Sequence, residues 1–251
     1  MKVIIIAAGS STRLAKETLG VPKGLLKING KSIIEIQLDL FQKNQLFDIT
    51  IIIGQDKQKF DLKNLNYIQD HEFQNHDVLG SLMTDKSIIN DDILTSYSDI
   101  IFEEKILKSV TEFSGDIGIA VDLDWEKNYV NRDQHPTSQA DNVLINGGEI
   151  LQIRKNISKC KNNEKIGEFL GLMRLSKKGS KIFLDKYSEL EMSHQGKFHN
   201  APSLEKAYLT DMLQELIDSG IRISPIYVSG EWCEIDTPQD LKKARKLFSS
   251  F

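Results

Sequence analysis

The chain has 251 residues, 40% of them hydrophobic and 27% charged, with a formal net charge of −4. That length suits one large domain, and the balance of apolar and charged residues is that of a globular protein with no basic face for nucleic acid. Met1 leads almost at once into a strand-like run ending at Gly9, too short for a membrane span and without the flanks of a secretory leader.

Val3 to Ala7 reads as a fully buried strand. Ser32 to Asn44 places Ile33, Ile36, Leu40 and Phe41 at helical spacing, and Ile49 to Ile53 is a second buried strand stopped by Gly54. A strand at Asp92 to Tyr97, a helix at Glu103 to Phe113 and a strand at Ile117 to Val121 continue the alternation. This order predicts an α/β fold, a mostly parallel sheet covered by helices on both faces. "NVLINGGEILQI" then predicts a hairpin, because a turn at Asn146-Gly147-Gly148 needs positive φ. Another strand in "EFLGLMRLS" precedes helices at Lys177 to Met192 and Leu204 to Ser219, the latter closed by Gly220. A last strand finishes at Asp236, where Thr237 can cap a helix with Pro238 in its first position. The expected organisation is a single domain over 1–251 with a hairpin insertion around 122–175. Cys160 and Cys233 are far apart, form no ligand motif and read as ordinary thiols of a reducing cytoplasm.

The turn after the first strand, Gly9-Ser10-Ser11-Thr12-Arg13, has one glycine, so it is not a dinucleotide-binding G-x-G-x-x-G. Lys23 sits between Pro22 and Gly24, so it is not the lysine of a P-loop. A compact turn after a buried strand can still press backbone N–H groups against a phosphate or a base edge. Small residues at Ala7, Ala8 and Gly9 permit that approach, and Arg13 and Lys23 add two positive charges. The plainer reading is a surface turn with two solvated bases.

"AAGSSTRL…VPK" resembles the signature of the nucleotidyltransferases with a nucleotide-diphospho-sugar transferase-like fold, departing at Ser11, where many members carry a second glycine. The resemblance implies a three-layer, Rossmann-like mixed sheet and a nucleotide site formed by Ala7, Ala8, Gly9, Ser10 and Ser11. It gives Lys23 the charge on the α-phosphate and Arg13 the outgoing pyrophosphate, and it implies two acids that hold Mg²⁺. Asp99, just past the strand of "DILTSYSDIIF", and Asp236 of "WCEIDTPQDL" fit, although each alone could be a turn or cap residue. Ligands of open α/β sheets gather at the carboxyl ends of strands, which can bring such distant acids together.

"NHDVLGSL" lies where this family reads the base, with Gly80 and Ser81 as the small pair facing a pyrimidine. "YSDIIF", "IAVDLDW", "EFLGLMRLSKKG" and "YLTDMLQELIDSG" resemble the small CTP-dependent cytidylyltransferases of phosphonate and phosphocholine-type pathways. That narrower resemblance implies CTP and a small phosphonate or phosphomonoester as partners, without fixing which acceptor. Acceptor contacts are expected from Asp122, Asp124, Trp125 and Arg132, an acid-and-aromatic set suited to an ammonium group or an anion, and from Lys155 and Glu168. None of the five histidines has zinc-site spacing, so none is given a metal role. The apolar hairpin near Asn146 would suit a homodimer contact. Two other readings remain open: a nucleotidyltransferase of the same fold acting on a sugar phosphate, or a catalytically silent nucleotide-binding regulatory subunit.

Overall fold

The computed structural model describes residues 1–9, 14, 20–55, 57–157 and 161–249. Ser10, Ser11, Arg13 and Cys160 lie outside the described residues. The strands are β1 (Lys2–Ala7), β2 (Lys27–Ile28), β3 (Lys31–Ser32), β4 (Ile49–Ile53), β5 (Asn66–Gln69), β6 (Ile93–Tyr97) and β7 (Ile100–Phe102). They continue with β8 (Ile117–Asp122), β9 (Asp141–Asn146), β10 (Glu149–Lys155), β11 (Glu164–Leu175), β12 (Ser224–Val228) and β13 (Trp232–Glu234). The α-helices are α1 (Ile33–Lys43), α2 (Val78–Leu82), α3 (Glu104–Thr111), α4 (Lys177–Ser193), α5 (Leu209–Asp218) and α6 (Pro238–Leu247).

Among the described residues a nine-stranded sheet runs β10-β9-β11-β6-β1-β4-β5, and β8 pairs with both β11 and β12. The pairs β6–β1, β1–β4, β4–β5 and β8–β12 are parallel. Strand β11 instead runs antiparallel to β6, β8 and β9. The β9–β10 hairpin is antiparallel because its turn, Gly147 and Gly148 at φ 57° and 82°, reverses the chain in two residues. Three of the parallel pairs run together through β6-β1-β4-β5, the fourth, β8–β12, lies across β11 from them, and β9, β10 and β11 supply the antiparallel pairings.

Successive side chains of a strand point to opposite faces. Val3, Ile5 and Ala7 enter a core with Ile34, Leu38 and Phe41 of α1 and Ile106 and Val110 of α3. Ile4 and Ile6 enter a second core with Leu79 of α2, Phe183 of α4 and Leu213 of α5. Helices therefore cover both faces. A third cluster packs Leu241 and Ala244 of α6 on Ile28, Ile33, Ile101 and Ile235. Cys233 lies in that cluster, where burial pushes its thiol up to about 12.

Helix ends follow local chemistry. Ser32 and Glu35 close a capping box at α1, and Thr237 with Asp240 closes another at α6 with Pro238 inside. Helix α5 begins five residues later than the spacing predicts. The Asp211 carboxylate accepts the Tyr208 backbone N–H at 2.9 Å, fixing the start there. Upstream, Leu204 and Ala207 are spent on packing, and the Ala207 carbonyl accepts the Leu79 N–H at 3.1 Å.

Candidate active site

Three separate segments bring charge into one cleft of about 610 Å³. Lys23 opens a single 3₁₀ turn after Pro22, Asp99 lies between β6 and β7, and Asp236 joins β13 to α6. Antiparallel pairing of β13 with β7 ends at Glu234 against Ile100, and the Ile235 N–H then donates to the Asp99 carbonyl at 2.8 Å. That bond carries the two aspartates, distant in sequence, into one place.

The Lys23 ammonium donates to Asp99 Oδ2 at 2.7 Å and also to Asp236 Oδ1. The side chains of Lys23, Asp99 and Asp236 are 18%, 21% and 4% exposed, so the triad is largely withdrawn from water. Burial alone would lower the lysine pKa. The carboxylates of Asp99, Asp236 and Glu234 outweigh it and hold the pKa above the ordinary lysine value. Lys23 is therefore a permanent cation whose present partners are two acids, and anionic phosphate oxygens would compete for it.

Ala7, Ala8 and Gly9 at the end of β1 line the same cleft, with His76, Asp77 and Ser81 around α2. Asp70, 1% exposed, organises this side. It accepts the Ser81 hydroxyl at 2.8 Å, the Glu72 N–H at 2.9 Å, and contacts His76 Nδ1 at 3.0 Å through both oxygens. With Nδ1 turned to the carboxylate, the ring's other nitrogen, Nε2, takes no part in that contact.

Asp141, Lys155, Glu168, His135 and Glu234 line the cleft as well. Glu168 sits where β11 changes partners: it pairs with Asp122 of β8 and Asn142 of β9, and the β8 register shifts just beyond, between Phe169 and Met173. Such an irregularity re-aims side chains, and Glu168, Phe169, Leu170 and Gly171 all reach the cleft there.

A hard divalent ion fits this donor set. Asp99 Oδ1 is buried without a hydrogen-bond partner, and His135, Glu234 and Asp236 each bring a ligand atom within 4.8 Å of the others. The His135 ring nitrogen Nδ1 lies 3.0 Å from Asp236 Oδ2, adding an imidazole to the oxygens expected from sequence.

Residues 3–130 match the MobA-like NTP transferase domain. The chain belongs to this family and is a nucleotidyltransferase. It is 22% identical to the CTP:phosphoglutamine cytidylyltransferase of Campylobacter jejuni, covering 96% of this chain and 98% of that protein. The solved inositol-1-phosphate CTP transferase of T. maritima superposes with a TM-score of 0.74 at 21% identity, over 99% of this chain and 94% of the other. The CTP:phosphocholine cytidylyltransferase of Streptococcus pneumoniae does so with a TM-score of 0.74 at 19% identity, over 98% and 97%. These two likenesses show a shared fold.

In this nucleotidyltransferase the cleft contains Ala7, Ala8, Gly9, Lys23, Ser81, Asp99, Lys155, Glu168 and Asp236 from the sequence-derived set. Gly80 does not line it. A Cβ there would stand 2.3 Å from the Glu205 carbonyl oxygen and 2.8 Å from His76 Cγ, so this glycine serves close packing of the segment before α5.

Asp122, Asp124, Trp125 and Arg132, expected at the acceptor, do not line the cleft either. Asp122 is buried and accepts the Trp232 indole N–H at 2.8 Å. Asp124 pairs with Lys127 at 2.6 Å on the surface. Trp125 packs edge-on against Tyr129, with ring centres 5.4 Å apart, and the Tyr129 hydroxyl donates to Glu168. Arg132 donates through Nε to Asp240 at 2.6 Å and through Nη2 to Glu234 at 3.3 Å. Asp122 and Arg132 thus stand one contact behind the lining residues Trp232 and Glu234, and Trp125 stands two behind, through Tyr129 and Glu168.

Glu234 and Asp70 carry no assignment from sequence, and the absence of zinc-site spacing gives the histidines no metal role, whereas His135 stands within 4.8 Å of Glu234 and Asp236 with a ligand atom. A usable signal existed for Glu234: in "EID", the period of a strand puts Glu234 and Asp236 on one side, with Ile235 buried in the third core cluster on the other. His135 and Asp70 have no local signature, since their partners lie across the fold or depend on the course of a turn.

Proposed function

We propose that this nucleotidyltransferase moves CMP from CTP to a small phosphonate or phosphomonoester and releases pyrophosphate. The observation that carries the reading is the half-buried Lys23 cation bonded to both Asp99 and Asp236 beside the small-residue end of β1. Full-length similarity to a CTP:phosphoglutamine cytidylyltransferase supports cytidine as the base and a small phosphorylated acceptor.

An anionic acceptor oxygen forms a bond to the α-phosphorus as the bond from that phosphorus to the bridging oxygen breaks. Pyrophosphate leaves with the electron pair, so no covalent enzyme intermediate is needed. Catalysis then comes from positioning and charge stabilisation. Lys23 serves the α-phosphate oxygens, and the backbone at Ala7, Ala8 and Gly9 admits the nucleotide closely. Ser81 and His76, both held by Asp70, stand on the base side. Arg13 keeps the pyrophosphate role that the family resemblance gives it. Asp99 and Asp236 would hold Mg²⁺, with Glu234 and His135 next to them, and the ion supplies neutralisation of phosphate charge when bound.

The test is pyrophosphate release with Mg²⁺ from ATP, CTP, GTP and UTP, each against small phosphonates, phosphomonoesters and sugar 1-phosphates. Release from CTP with a small non-sugar acceptor, lost in Asp99→Ala, is expected. Release from another triphosphate with a sugar phosphate would overturn the assignment.

A further inference from the structure

The cleft holds more acidic side chains than a pair of metal-holding aspartates explains. Glu168 is 4% exposed; its Oε1 accepts from Tyr129, while Oε2 is buried with no hydrogen-bond partner. Asp141 Oδ1 is buried and unpartnered in the same way. Both residues line the cleft, on neighbouring strands: Glu168 pairs with Asn142, the residue next to Asp141.

An unpaired buried carboxylate oxygen is costly, so two of them lining one cleft call for a donor. Burial, with the Glu234 charge adding to it, pushes Asp141 up to about 7 despite Lys155, and raises Glu168 well above the carboxylate range. Among the described residues no ion pair reaches either group. Lys155 faces Asp141 across the hairpin, but its ammonium rests 5.1 Å from the centre of the Tyr208 ring. Arg132 is committed to Asp240 and Glu234.

We propose that Glu168 and Asp141 form a subsite for a primary ammonium group, so that the acceptor is an aminoalkyl phosphonate or phosphate. This rests on the cytidylyl-transfer reading above. A primary ammonium offers three N–H donors and a charge to the two vacant oxygens. A trimethylammonium offers charge without donors, and a hydroxyl offers one donor without charge. Tyr97 and Phe169, which also line the cleft, meet edge to face at 6.0 Å and leave an apolar surface for the short carbon chain. Lys155 and Lys206, both in the lining, suit the anionic end.

The experiment measures pyrophosphate release from CTP with two matched pairs: 2-aminoethylphosphonate against 2-hydroxyethylphosphonate, and phosphoethanolamine against phosphocholine. For each primary amine, kcat/KM should exceed that of its partner by on the order of 10- to 100-fold. Glu168→Gln and Asp141→Asn should each shrink that ratio. The ratio is read first in the unaltered enzyme, so a variant that fails to fold does not decide the matter. Equal values within both pairs, or a preference for phosphocholine, overturn the subsite and leave cytidylyl transfer standing. An unchanged ratio in a folded Glu168→Gln variant overturns it equally. No release with any of the four, while another small phosphomonoester releases pyrophosphate from CTP, overturns the subsite and leaves cytidylyl transfer standing; no release from CTP with any acceptor removes both.

Discussion

The Lys23–Asp99–Asp236 triad and the charged loop from Asp122 to Arg132 are both rich in ionisable groups, yet the fold uses them differently. The triad sits where chain ends of strands and a cap converge, so its charges meet at the open edge of the sheet. The loop turns four of its notable residues inward, and the buried polar groups there take protein partners: Asp122 with Trp232, Arg132 with Asp240, and Tyr129, backed by Trp125, with Glu168. A buried charge must be paired or it is very costly, so the more deeply a charged residue sits, the more its neighbours decide what it can do. The triad lines the cleft itself, and the loop holds residues that line it.

The sharpest way to break this contrast is to remove one member of each group. Asp236→Ala and Lys23→Met should each lower turnover by about 10²–10³-fold or more, as loss of a group aimed at developing charge does. Pyrophosphate release checks this, and near-normal turnover in either variant would remove the triad from the chemistry.

Arg132→Met should do the opposite: little to the chemical step, much to stability. It leaves Asp240, 1% exposed, without its cation, a loss of about 3–5 kcal/mol for a broken buried pair. Asp240 also accepts the backbone N–H groups of Asp236 and Thr237, so the start of α6 should loosen with it. Urea denaturation measures the loss. Arg132→Lys should recover only part of it, because one ammonium cannot match the fork that reaches both Asp240 and Glu234. A stable Arg132→Met protein with a large acceptor KM would return Arg132 to the acceptor.

Legibility in the sequence follows the same division. Ile49–Ile53 appears as read, and the Asn146 hairpin forms because its turn residues leave one option. Asp99 and Asp236 were findable because each ends a strand-like run and the opening motif asks for partners. The insertion was not, since whether Trp125 faces a cleft or the back of Glu168 depends on the crossing of β8, β9 and β11. Gly80 shows the limit at a single position. A small residue at a helix start reads as room for a base, but the space is already taken by the Glu205 carbonyl.

Asp141 allows the comparison to be sharpened by pH. Burial raises its pKa to about 7, above the ~3.9 of an ordinary aspartate. Between those values the folded protein keeps a proton that the unfolded chain has lost. This group's contribution is therefore most favourable below about pH 4, and it declines as pH rises toward about 7. Asp141→Asn removes the dependence. Its stability relative to the parent should improve by roughly 2.6 kcal/mol between pH 5 and pH 8, about two pH units at the ~1.4 kcal/mol per unit that one group allows. Urea midpoints at the two pH values read it, and a difference that does not move with pH would place the Asp141 charge in contact with water.

The smallest expected effect tests the link between the two regions. Tyr129→Phe deletes the donor to Glu168 Oε1 and keeps the ring that packs on Trp125. One hydrogen bond of this kind is worth about 1 kcal/mol, or roughly fivefold in an affinity. If the loop acts by holding Glu168 toward the acceptor, the acceptor KM should change by about that factor while kcat and the KM for the triphosphate stay put. Equal changes in both KM values would mean that the hydroxyl steadies the whole cleft. No change at all would mean that β11 alone fixes Glu168, through its pairing with Asp122 and Asn142 on either side.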